Sequence, residues 1–297
     1  MRPISRRGWD RLPILIAVLV LAACAPGPDS GTTTTTPTTP SDTQSSSPTS
    51  TTPTGASAPT AGTAPPCEAG SEPFVESGGA GLIERGDTDS TIVSGVRWVS
   101  YPTCVRVVIE FAATSGAPAV LPPGVGPLFI RPAGVLRLQL DPAVTRSSII
   151  EQVVDTGLVD TAYVVRRTTG DLFVDLHLGE PALVRVSVAS GPARIVVDIL
   201  SGGDPYQLPA MVTEDLVVID PVGDSASYPF TVNGYVRGNA ETMSVAIEAG
   251  GTEQIVDGEI GERSDAWGAF TVLVPNGPDG SATMVVGSQI PISLELS

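Results

Sequence analysis

Between residues 104 and 111, apolar and polar side chains alternate. Val105, Val107, Ile109 and Phe111 fall on one face, with Arg106 and Glu110 on the other. A period of two marks a half-buried β-strand. The same pattern returns at 135–140, where Leu136, Leu138 and Leu140 point one way and Arg137 and Gln139 the other. It returns again at 172–178, with Leu172, Val174, Leu176 and Leu178 on one face. Residues 184–189 and 194–200 read as two further strands joined by a Ser190-Gly191-Pro192 turn. The one expected helix is short, around Arg146–Val154. After Gly202-Gly203-Asp204-Pro205, seven short strands follow at intervals of roughly ten residues: 216–219, 230–237, 242–249, 254–259, 269–274, 282–287 and 292–296. This pattern predicts an all-β chain of two β-sandwich domains, about 67–203 and 214–297, the second immunoglobulin-like. The expected core of the first includes Val107, Ile109, Phe111, Leu138, Val174, Leu176 and Val197. In the second, Phe230, Val232, Val245, Ile247, Val272 and either Trp267 or Phe270 should point inward.

Upstream of residue 67 the pattern is different. Four Arg lie within residues 1–11, and 12–23 is almost wholly apolar, a basic region followed by an apolar stretch of signal-peptide length. That stretch is short for a membrane-spanning helix, which needs roughly 20 apolar residues. It ends Leu21-Ala22-Ala23-Cys24, which resembles the bacterial lipobox. The resemblance implies a diacylglycerol on Cys24 and a mature protein held on the outer face of the cytoplasmic membrane. Residues 25–66 are Thr, Ser, Pro, Gly and Ala apart from Asp29, Asp42 and Gln44. Such a segment buries too little apolar surface to offset chain entropy, so 24–66 is expected to be a disordered tether.

Charge narrows the partners. All 16 basic residues are Arg, against 32 acidic ones. Loss of residues 1–23 removes four Arg and one Asp, taking the net charge from -16 to about -19. A chain this acidic repels polyanions, so nucleic acid is not an expected partner. Basic partners, polyols read by hydrogen bonds, or other exported proteins remain.

Two stretches resemble known families. Tyr228-Pro229-Phe230-Thr231-Val232-Asn233-Gly234, preceded by Ile219-Asp220-Pro221 and followed by Ala266-Trp267-Gly268-Ala269-Phe270, is similar to the immunoglobulin-like domain of bacterial spore-germination lipoproteins. Residues 104–111 and the closing Arg194-Ile195-Val196-Val197-Asp198-Ile199 resemble the AMIN-like domain of actinobacterial lipoproteins. The second resemblance implies binding to peptidoglycan, the first an accessory role in germination or sporulation. Neither implies an enzyme.

Little in the residues suggests catalysis. The single histidine, His177, shares a face with Phe173 and Asp175, so an acid–base pair is conceivable and a hydrolase is the alternative reading. His177 is expected at the surface or rim. Cys67 and Cys104, the cysteines left beside Cys24, read as a disulfide in an oxidising compartment, with two free thiols as the alternative. Asp87-Thr88-Asp89 offers oxygens for calcium but completes no binding loop. Arg166-Arg167 reads as a solvated turn. No cofactor is expected. Trp98 and Tyr101 are the candidate ligand-facing aromatics. Trp267 with Phe270 could stack on a sugar or pack in the core.

Overall fold

A computed structural model describes residues 67, 69–70, 72–75, 83, 86–238, 240–262, 264–288 and 291–297. The lipidated cysteine expected at Cys24, the signal peptide and the tether lie outside these residues. The strands in chain order are β1 Ile92–Ser100, β2 Cys104–Ala112, β3 Val125–Ile130, β4 Val135–Leu140, β5 Arg146–Ser147, β6 Glu151–Val153, β7 Thr161–Arg166, β8 Leu172–His177, β9 Ala182–Ala189, β10 Arg194–Ser201, β11 Met211–Val212, β12 Leu216–Asp220, β13 Ser225–Ala226, β14 Phe230–Val236, β15 Thr242–Ala249, β16 Thr252–Glu259, β17 Trp267–Val274, β18 Gly280–Val286 and β19 Ile292–Leu296. The fold is all-β; among the described residues the only helical turn is a 3-10 segment, Arg131–Ala133.

Three sheets hold these strands. The first runs β5-β1-β2-β10-β9, and the third β13-β19-β18-β15-β16. Between them a nine-stranded sheet runs β11-β12-β14-β17-β7-β8-β4-β3, with β6 also on β7. The join at its middle is narrow: β17 and β7 pair in parallel through Trp267 with Val165 and Gly268 with Arg166. Each half of this shared sheet closes one sandwich. Val107, Ile109 and Phe111 of the first sheet pack with Leu136, Leu138, Val174 and Leu176 of the shared one. Val232, Val272 and Phe270 of the shared sheet pack with Val245, Ile247 and Met284 of the third. Every residue expected in the two cores is buried.

A third apolar layer lies where the two halves meet: Val135, Tyr163, Val165 and Phe173 from one, Val217, Ile219, Tyr235 and Trp267 from the other. Strand β8 is therefore buried along its whole length. Even numbers face the first core and odd numbers the junction, because successive side chains in a strand alternate.

The region around Arg146–Val154 is not the expected helix but two short strands, with β5 parallel to β1 and β6 antiparallel to β7. Ile149, Ile150, Val153 and Val154 are β-branched, which suits a sheet, and sheet partners are at hand. The Ser148 amide donates to the Val93 carbonyl and the Val164 amide to that of Ile150.

From Gly202 to Ala210 there is no strand. This connection is pinned by Tyr206, whose hydroxyl donates to the Glu180 carbonyl and whose ring meets Phe129 edge-on. The Tyr206 ring lies against Gly134, where a Cβ would come within 2.3 Å of it and where φ is +60°. Only glycine combines that backbone with that clearance.

At the start of the described chain, Cys67 and Cys104 form a disulfide with Cα atoms 6.4 Å apart. Val75 then pairs with Val184, adding to the open edge of β9. Arg185 sits beneath this segment. Its guanidinium donates to the carbonyls of Cys67 and Ala69 and lies over the Phe74 ring.

Candidate functional site

The outward face of the first sheet carries a buried charge cluster. Arg106 and Asp198 are cross-strand partners on β2 and β10. Arg106 donates from Nε and Nη2 to the two carboxylate oxygens at 2.7 and 3.1 Å, and Arg185 adds a third bond at 2.8 Å. The hydrogen bond that Arg106 donates to Asp198 raises the Arg106 pKa, against the opposing effect of burial. With Asp198 and Arg185 buried and the Cys67–Val75 segment above them, this cluster is structural.

Trp98 and Tyr101, the candidate ligand-facing aromatics, sit near the end of β1 and in the turn after it. Trp98 pairs with Val107 at the end of β1, on the core-facing side, and is about a third exposed. Tyr101 lies in the following turn, where its amide donates to the Cys104 carbonyl, within electrostatic reach of Arg106 on the other face.

His177 is not at the surface or rim as the sequence suggested. It is buried in the junction, where its Nε2 and the Tyr235 hydroxyl share a hydrogen bond. Tyr163 and Tyr235 pack against it and Trp267 against both of them, with ring centroids 4.8–5.9 Å apart in tilted and edge-to-face pairs. Trp267 thus packs inside the fold, and its indole N–H donates to Glu151 at 3.0 Å. The sequence pattern placed Phe173, Asp175 and His177 on one face of β8, but not what covers that face.

Burial lowers the His177 pKa to about 4, with Asp175 raising it and Arg137 lowering it further. An unfolded histidine takes up a proton near pH 6.5. The folded state therefore forgoes a proton that the unfolded chain binds, and stability falls as pH drops from about 6.5 towards 4. The full span is on the order of 3 kcal/mol at 1.36 kcal/mol per unit. Denaturant unfolding measured between pH 7 and 5 should show this decline. His177→Gln should flatten it while lowering stability at pH 7. Parallel slopes for the two proteins would contradict the assignment.

Arg166 is likewise buried, not a solvated turn. It donates to the carbonyls of Gly170 and Thr145 and to Asp265, whose other oxygen accepts the Ser147 amide. Asp265 belongs to the second half of the chain, so this cluster ties the halves together beside the β7–β17 join. The Asp89 carboxylate, a candidate for calcium, accepts the Val120 and Leu121 amides at 2.7–3.0 Å, which lowers its pKa. Among the described residues, no three His, Cys, Asp or Glu side chains lie together as a metal site would need.

A cleft opens where the junction reaches solvent. Arg137, Arg167, Thr168, Thr169 and Phe173 line it from the first half, and Asn233, Glu259, Ala269 and Thr271 from the second. Its volume is about 360 Å³. Asp175, fully buried, fixes Arg137 by two bonds of 2.9 and 2.7 Å to its Nε and Nη2. Burial opposes the Arg137 charge, but Asp175 outweighs it and the pKa is raised. On the other wall, the Thr271 hydroxyl donates to Asn233 Oδ1, and the Asn233 amide donates to Asp220 and Thr231. The walls thus present donors and acceptors in fixed places, and two domains meeting over a concave polar site is a common setting for a ligand. Arg167 was expected only as part of a turn, and Thr168, Thr169, Asn233 and Thr271 form no sequence motif. The one signal for the site was the mixed Phe173–Asp175–His177 face.

The chain matches no family model, no curated protein and no solved structure.

Proposed function

We propose that the chain is a non-catalytic envelope lipoprotein, anchored to the outer face of the cytoplasmic membrane through Cys24, that binds a cell-wall glycan. The cleft at the junction carries this reading. It presents polar and apolar surface in about equal measure, is built by both sandwiches, and is of a size for one or two sugar units. Its hydroxyl, amide, guanidinium and carboxylate groups match the alternating donors and acceptors of a polyol. The acidic chain disfavours a polyanion such as nucleic acid, while a sparsely charged glycan meets far less repulsion. His177, the one imidazole, is held by Tyr235 inside the junction and does not line the cleft, which favours binding over hydrolysis. The AMIN-like resemblance of 104–111 and 194–199 points the same way. Recognition of another exported protein, or a part in sporulation, is not separately favoured by any contact described above.

The mature protein should be retained on insoluble peptidoglycan and released by soluble wall fragments. Cys24→Ala should move it from the membrane to the soluble fraction without changing that retention. Failure of the wild-type protein to sediment with peptidoglycan would overturn the glycan reading. A Cys24→Ala protein that stays with the membrane would overturn the anchor.

A further inference from the structure

We propose that the cleft anchors its ligand through a carboxylate held between Arg137 and Arg167, so that the preferred glycan is an acidic sugar and not a neutral one. The inference rests on the glycan-binding reading and names the group that such a ligand must carry.

Two cations converge on one ring. The guanidinium carbon of Arg137 lies 4.0 Å from the Phe173 centroid and that of Arg167 lies 5.2 Å from it. Both side chains line the cleft. Bringing two like charges together is unfavourable unless anions offset them, and the two are offset unequally. Arg137 has the buried Asp175, which takes its Nε and Nη2 and leaves Nη1 unpartnered among the described residues. Among the described residues Arg167 has only Asp171 as an ion-pair partner, 3.9 Å away and itself well exposed, a pair of little strength in water. The site therefore holds one guanidinium with a free amino group in fixed position and a second whose charge is weakly paired. A carboxylate accepts from such donors in a planar, charge-assisted arrangement.

The ring beneath them supports the same choice. Phe173 is almost fully buried, and with guanidiniums against it there is no open face for a sugar to stack on. Recognition must come from polar groups. Glu259 stands on the other half of the chain. It repels an anion there and accepts hydroxyls, orienting a ligand that is acidic at one end and polyhydroxylated elsewhere. The net charge, about -19 without residues 1–23, disfavours ligands with many negative groups, so a single carboxylate on an otherwise uncharged sugar unit fits best.

In wall material the carboxylate could belong to the sugar itself or to the peptide that the sugar carries. Titration calorimetry of the full mature protein should separate these, using peptide-free glycan fragments with free acid groups, the same fragments amidated with carbodiimide, and free stem peptides. The free-acid glycan should bind, and amidation should weaken it about 10-fold or more, the scale of a lost hydrogen bond to a charged group. Arg167→Ala should weaken it similarly, Arg167→Lys less, and Arg97→Ala, an exposed arginine paired with Glu110 and not lining the cleft, not at all. Tight binding of stem peptides alone would assign the carboxylate to the peptide and overturn the acidic sugar. Equal affinity for native and amidated glycan, unchanged by Arg167→Ala, would overturn the carboxylate anchor while leaving glycan binding intact. No binding of any fragment, together with no retention on whole peptidoglycan, would overturn both.

Discussion

Replacing Trp267 by Ala is expected to destabilise the protein by about 3–5 kcal/mol, the cost typical of deleting a large buried aromatic, and to split its unfolding into two steps. Trp267 is 1% exposed and lies edge-to-face on both Tyr163 and Tyr235, one from each half of the chain. Its own backbone forms half of the two-residue join between β17 and β7, and its indole N–H holds Glu151. The substitution removes the filling of the junction and leaves Glu151 with Arg237 as its remaining donor, yet leaves the two outer cores untouched. Scanning calorimetry of the full chain should change from one transition to two separated ones. A single transition displaced by less than about 1 kcal/mol would show that the junction contributes little, since substitutions away from such features usually fall within roughly ±0.5 kcal/mol.

Asp198→Ala should cost a similar amount, about 3–5 kcal/mol, for a different reason. The carboxylate is the common partner of Arg106 and Arg185, and Arg185 is only 6% exposed beneath the Cys67–Val75 segment. Without it a buried guanidinium keeps its charge and loses its anion. Disrupting the exposed Arg97–Glu110 pair by Glu110→Ala is the comparison, expected to cost less than about 1 kcal/mol. Urea unfolding of both variants measures the difference; equal midpoints would mean that Arg185 is sufficiently satisfied by the Cys67 and Ala69 carbonyls alone.

The two sandwiches were legible because their inward faces alternate with polar ones. Val105, Val107 and Ile109 on β2 and Val245 and Ile247 on β15 are cases where a period of two suffices. Strand β7 escaped because it does not alternate: Ala162 to Val165 is apolar throughout, being covered on both faces. The odd-numbered face of β8 illustrates the same limit. Phe173, Asp175 and His177 look like a partly polar outer face, and only the arrival of Tyr235 and Trp267 buries them. Arg166 reads as solvated until Asp265, 99 positions later in the chain, is brought beside it. The cleft was illegible for this reason as well, since its two walls come from strands that local pattern treats as separate domains. A helix at 146–154 was expected because short apolar runs carry no decisive period, and here the neighbouring strand edges decided the outcome.

The disulfide has a mechanical side. Tension applied to the chain ahead of Cys67 passes through the covalent bridge to Cys104, the first residue of β2, and bypasses the loop between the two cysteines. Strand β2 lies inside its sheet, laddered to β1 on one side and β10 on the other. A load entering there is shared by two hydrogen-bond ladders at once, with the Arg106–Asp198 link fastened across one of them. Were the bridge reduced, the same pull would first strip the Cys67 and Ala69 carbonyls from Arg185 and then peel Val75, a single isolated pairing, from the edge of β9. The oxidation state of two cysteines thus decides whether the fold is tugged at its middle or at its hem.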